Sequence, residues 1–166
     1  MSIQIISGLC SISDIESFIS GLKDISAKYN VVIQAFDADK IAGEEHLRFA
    51  AEKASQAVES SKAIADELAL EIMLYASGSR QIGKAIKMGI HRGENNIAIV
   101  IVGDGSGVRK ELEKLVREDD VLRYKPSKDG MLMRTFGITE AEVEAAGRDR
   151  IPDLVLERVA LLDILK

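Results

Sequence analysis

The sequence predicts a single α/β or α+β domain with a small mixed or antiparallel sheet covered by helices, and three observations carry that reading. Short β-branched runs alternate with segments whose apolar residues recur at three-four spacing. One run, Ile97 to Val102, is apolar without interruption, as in a strand buried on both faces. The chain has 166 residues, 46% of them hydrophobic, which is enough for one core without staples, and its 13 Gly and 2 Pro exclude a low-complexity or fibrous chain.

In order, Ile3 to Ser7 reads as a short strand, and Ser13, as N-cap, opens a helix to about Lys28 whose apolar stripe is Ile15, Phe18, Ile19, Leu22 and Ile25. Val31 to Phe36 is a second strand, and Asp37 to Lys40 a turn. An Ala-rich helix follows from Gly43 to about Ser61, with Ala50, Ala54 and Ala57 small enough for close packing. Ile64 to Ala76 is apolar nearly all round apart from Asp66, Glu67 and Glu71, which predicts a central buried helix ended by Gly78. Ser79 should cap a further helix to about Met88, stopped by Gly89. Ile97 to Val102 is the central strand, and Gly107 to Arg117 an amphipathic helix. Val121 to Thr135 is mixed, with a turn at Lys125-Pro126-Ser127. Thr139 opens a short acidic helix through Ala146, and Pro152 starts a last helix ending near Leu165.

Composition excludes several function classes. No apolar run exceeds six residues, against the roughly 20 that span a bilayer, so no membrane partner is expected. The first residues lack the basic region of a signal peptide, and the expected address is cytoplasmic. Cys10 is alone and His46 and His91 are the only histidines, so neither an internal disulfide nor a metal site is expected. A net charge of −5 argues against wholesale coating of nucleic acid, although one basic face can still act locally.

Such a face exists. Between Glu71 and Glu94 there is no acidic residue, while Arg80, Lys84, Lys87 and Arg92 add four positive charges. On a helix, Arg80, Lys84 and Lys87 share one side, extended by His91 if the helical turn continues, and Ile82, Ala85 and Ile86 face the core. The Ser77-Gly78-Ser79 corner has two readings. It is an anion seat of free backbone N–H groups at a helix start, with Arg80 closing around a phosphate; or Gly78 and Ser79 are plain caps and Arg80 neutralises Glu71. His46 and Lys53 share a face of the Ala-rich helix and join the patch if the two helices pack; otherwise they are a solvated edge.

No catalytic constellation is visible. His46 has no partner at triad-like spacing, and Ser77 and Ser79 lack the setting of a nucleophile elbow. Gly103 to Gly107 fits neither phosphate-loop spacing and reads as a strand-to-helix turn. The last helix is apolar on more than one side, so it is inserted in the core or leaves a strip for a partner.

Glu44-Glu45-His46-Leu47 before an Ala-rich helix, Leu70 through Ile82 (LEIMLYASGSRQI), Ala85-Ile86-Lys87-Met88-Gly89-Ile90 and the closing Glu157 to Leu162 together resemble the kinase-binding subunit of the KEOPS complex, the PRPK-binding protein family. The resemblance covers most of the chain. It implies a non-catalytic subunit, without cofactor, of the machine that installs threonylcarbamoyl on tRNA adenosine. Such a subunit binds the atypical kinase/ATPase subunit, captures the tRNA 3′ CCA end, and meets the threonylcarbamoyl transferase subunit indirectly. By position, the resemblance places Arg80, Lys84, Lys87, Ser77, Gly78, Ser79, Gln81, His46 and Lys53 near the tRNA end. The apolar last helix, with Leu154, Leu161, Leu162 and Leu165, becomes the candidate kinase contact. Tyr75 is a stacking platform or core. The alternative is a purely protein-interaction regulator of the kinase that binds no RNA.

Overall fold

The computed structural model describes residues 2–165. Four antiparallel strands stand in the order β2–β3–β1–β4: β1 is Ile3–Ile12, β2 Val32–Asp37, β3 Gly93–Val102 and β4 Arg117–Glu118. The long β1–β3 pair runs from Ile3 against Val102 to Ile12 against Gly93. The fold class is therefore α+β, and β3 is central as its unbroken apolar run predicts.

The period-two alternation of β3 divides the interior. Ile97, Ile99 and Ile101 point to one face, where α1 (Ile15–Tyr29) and α5 (Val108–Glu113) cover them with Leu22, Val108 and Leu112. Ala98, Val100 and Val102 point to the other, under α2 (Glu44–Glu59), α3 (Leu68–Ser77), α6 (Asp129–Phe136) and α8 (Ile151–Leu165). The remaining helices are α4 (Ile82–Ile86) and α7 (Glu140–Ala146). In α2, Leu47, Ala50, Ala51 and Ala54 are fully buried, and their small size lets α3 lie close in the middle of the larger core.

Several boundaries differ from the sequence reading, each for a local reason. Asp14, not Ser13, caps α1, because its carboxylate accepts the Ser17 N–H at 3.1 Å. The helix expected from Ile64 begins only at Leu68: the fully buried Glu71 carboxylate accepts the Ile64 and Ala65 N–H groups at 2.9 and 2.8 Å, holding that backbone in a bend. β1 runs on to Ile12 because β3 also extends back to Gly93 and pairs with it. The helix expected from Gly107 to Arg117 ends at Glu113, and Arg117 joins Glu118 in β4, for which Gly8 makes room: a Cβ there would stand 2.2 Å from the Arg117 carbonyl oxygen. The mixed segment from Val121 to Thr135 contains α6, anchored by Leu132 and Phe136 one turn apart.

Other expectations hold. Gly78 ends α3 in the left-handed region at φ 64°, and a Cβ on it would press on Arg158 at 3.1 Å. Thr139 and Glu142 form a reciprocal capping box at the start of α7. Gly103 to Gly107 is a strand-to-helix turn, its glycines packed against Val31 and Tyr29.

Candidate nucleic-acid interface

A cleft of about 620 Å³ opens between the end of α3, the turn into α4, and the facing ends of α6 and α8. Seven of the nine residues expected at an RNA site line it: Ser77, Gly78, Ser79, Arg80, Gln81, Lys84 and Lys87. Lys40, Arg134 and Arg158 complete it from segments distant in sequence, and none of the described lining residues is acidic. Among the described residues Arg158 alone of the six cations has an ion pair, with Glu142 at 2.8 Å. Arg80 donates to the Leu165 carbonyl at 2.8 Å and Lys40 to the Lys87 carbonyl at 2.6 Å, so both are positioned without losing charge. Uncompensated cations converging on one open cleft attract phosphates.

The convergence does not arise from a helix face. α4 is a single turn, and Arg80 lies outside it. The corner before it is closed on itself: Ser79 N–H meets the Leu74 carbonyl at 3.2 Å, and Gln81 N–H meets Ser79 Oγ at 3.0 Å. Those two amides are thus taken up within the corner and do not contribute to an anion seat, which is one of its two readings. Arg80 does not neutralise Glu71 either, since its guanidinium turns to α8. Ile82 and Ile86 do not face the core as expected; they are 45% and 59% exposed, and only Ala85 is buried. His91 does not extend the basic side, because the chain has turned: its N–H bonds Asn95 and its ring stands 4.0 Å from Asp37.

His46 and Lys53 also lie elsewhere. His46 is buried and does not line the cleft; it borders a separate cavity with Gly43, Tyr124 and Pro152. Its Nδ1 accepts the Ala42 N–H at 3.1 Å, which leaves Nε2 to carry the proton and donate to the Ala76 carbonyl at 2.8 Å. Burial pulls its pKa down to about 4, and the ring stays neutral at pH 7. It meets the ring of Phe136, an aromatic residue lining the cleft, edge-on at 5.5 Å, and so backs that ring without lining the cleft itself. Lys53 pairs with Asp163 at 2.7 Å on another side of α8, and Asp163 also accepts the Tyr75 hydroxyl. Tyr75 is core, 1% exposed, and no stacking platform.

In α8, Ile151, Val155, Val159 and Leu162 enter the core, which removes Leu162 from any contact surface. Leu154 is half-buried and packs on the same core. Leu161, Ile164 and Leu165 remain exposed at the C-terminal end, and Leu165 also lines the cleft.

Residues 9–163 match the model of a family described as kinase binding protein CGI-121. The chain belongs to the CGI-121 family. A relative within it, the regulatory protein Cgi121 of Methanocaldococcus jannaschii, is 31% identical over 135 residues, covering 80% of this chain and 84% of that protein. The CGI-121 match takes in every cleft residue except Leu165. Among the described residues of this CGI-121 protein, no helix is long and apolar enough to cross a membrane, and no group of three or more His, Cys, Asp or Glu is placed to hold a metal ion.

Lys40, Arg134 and Arg158 escaped the sequence reading. Arg134 sits in a segment whose Leu132–Phe136 spacing and following Gly137 were the available signal for a helix, but nothing local indicates that this helix faces Arg80.

Proposed function

We propose that the protein is a non-catalytic, cytoplasmic subunit of the KEOPS tRNA-modification complex that binds the atypical kinase/ATPase subunit and holds the tRNA 3′ CCA end in the basic cleft. The observation that carries this is the meeting of Lys40, Arg80, Lys84, Lys87 and Arg134, without a carboxylate among the described lining residues, in one open cleft. Phosphates of the terminal nucleotides meet these cations, and the bases rest toward Phe136 and Met88. The kinase subunit docks on the exposed strip Leu161, Ile164 and Leu165, which borders the cleft and so places the tRNA end beside the kinase.

Binding of intact tRNA and of tRNA trimmed of its CCA, at two salt concentrations, with the Arg80→Glu variant alongside, tests the reading. The expected result is salt-sensitive binding lost on trimming and on charge reversal. Equal binding of both RNAs makes the cleft a nonspecific patch; no binding leaves a protein-interaction regulator.

A further inference from the structure

We propose that the outer edge of β2 is a docking site for an extended, β-branched segment of a partner protein, which adds as a fifth strand. This surface is distinct from the basic cleft: α4 divides the two, with Lys84 and Lys87 facing the cleft and Ile86 the β2 side.

The hydrogen-bond parity of the sheet identifies the open groups. Gly103 N–H donates to the Ser2 carbonyl at 2.9 Å, so odd-numbered positions of β3 turn their backbone to β1 and even-numbered ones to β2. Gln34 stands against Val100 and Phe36 against Ala98, so even-numbered β2 residues take those bonds. Val31, Ile33, Ala35 and Asp37 therefore turn their backbone outward. The two ends of this row are closed within the chain. Val31 N–H bonds the Ser26 carbonyl at 3.1 Å, its carbonyl accepts the Ser26 hydroxyl, and Asp37 N–H bonds the Met88 carbonyl at 2.9 Å. Gln34 Nε2 satisfies the Ala35 carbonyl at 2.9 Å.

Ile33 N–H, Ile33 C=O and Ala35 N–H are left, with no partner among the described residues. Ile33 is 9% and Ala35 3% exposed, so these groups lie at the bottom of a trough rather than in open solvent. Buried backbone groups are rarely left unpaired. The trough measures about 740 Å³ and is walled by Ile19 and Leu22 of α1 and by Leu68, Met73 and Ile86 opposite.

A strand is the chemistry that satisfies a backbone N–H, C=O, N–H row between two apolar walls, its alternate side chains turning to either wall. A second copy of this chain is a poor occupant. Its own β2 edge is recessed between the same helices, and two recessed edges cannot approach to the ~4.8 Å that strand pairing requires. A free segment can enter. Lys23 on one side and Glu67 on the other favour a segment with one acidic and one basic flank.

The test uses the full chain and a fluorescent heptapeptide, acetyl-Glu-Val-Thr-Ile-Thr-Val-Lys-amide, beside the same peptide N-methylated at its internal amides. Saturable binding is expected, weakened at least roughly tenfold by N-methylation and by Ile86→Glu, a substitution at an exposed position. Ala35→Pro removes one outward N–H while sparing the β3 ladder, and should weaken binding similarly; if that variant unfolds, Ile86→Glu carries the test. In amide exchange, peptide should newly protect Ile33 and Ala35 and leave Gln34 and Phe36 unchanged. Absent binding, equal affinity of both peptides, or unchanged exchange at Ile33 and Ala35 overturns the proposal. So does a free protein that sediments as a dimer with those two amides already protected, since a second copy then holds the edge. None of these readouts involves tRNA or the kinase, so the proposal fails or stands independently of the proposed function.

Discussion

The Arg80 guanidinium donates to the carbonyl oxygen of Leu165 at 2.8 Å, tying the basic corner after α3 to the last turn of α8. One residue thus contributes charge to the cleft and fixes the helix end that borders it. Arg80→Glu should lower tRNA affinity and reduce the slope of log affinity against log salt by about 0.7 for each single-strand phosphate that is no longer neutralised. The lost contact with Leu165 lies at an exposed helix end, so folding stability should fall by no more than about 1 kcal/mol. Filter binding across a salt series together with denaturant unfolding separates the two effects.

Arg134 reaches the cleft from α6 and Lys84 from α4, on opposite walls. Arg134→Glu and Lys84→Glu should each weaken tRNA binding, whereas Lys53→Glu should leave it unchanged, because Lys53 is committed to Asp163 away from the cleft. Loss of binding in Lys53→Glu alone would move the RNA to the other side of α8.

His46 couples stability to acid. Its folded-state pKa lies at about 4, well below the ordinary value of 6.5, because burial disfavours the imidazolium. The unfolded chain therefore takes up a proton that the folded chain refuses. The stabilisation is complete above pH 6.5 and is lost as pH falls toward 4, by an amount of the order of 3 kcal/mol. Denaturant midpoints from pH 7 to 4 should fall along this window, and His46→Gln should begin less stable and show a flatter profile.

Lys128 donates its ammonium to three buried carbonyls, those of Ala38, Ile41 and Leu122, at 3.0, 3.1 and 2.9 Å. Burial lowers its pKa to about 8, so it stays charged at pH 7 and keeps three donors for three acceptors. Lys128→Met preserves much of the stem but strands the carbonyls, and should cost roughly 3 kcal/mol, seen as a fall in Tm of about 6–12 °C.

What the sequence made legible was local. Thr139 as a helix start, Gly78 as a helix stop, the buried strand at Ile97–Val102 and the apolar α3 all act within a few residues, and the structure keeps them. The grouping of Arg80, Lys84 and Lys87 was also legible, though for a different reason: a wrapped turn brings them together, not a helix face. His46 could not be placed from its helical spacing, because whether that face meets solvent depends on α3 and α6 packing over it. Lys40 and Arg134 were invisible for the same reason, since their meeting with Arg80 exists only once the sheet and helices have assembled.

The pairing of the first strand with the third has a consequence for how the chain is made. β1, with Ile3, Ile5, Ile6 and Ile12 among its residues, is made before its ladder partner β3, and Ile3 must wait for Val102. β4, its other neighbour, comes later still. Until most of the chain has been synthesised, this strand has no hydrogen-bonded partner, and sheets closed by such distant contacts form slowly. The sheet therefore cannot close while the polypeptide is only part-made, and its strands come together late, through contacts between distant segments rather than by local folding.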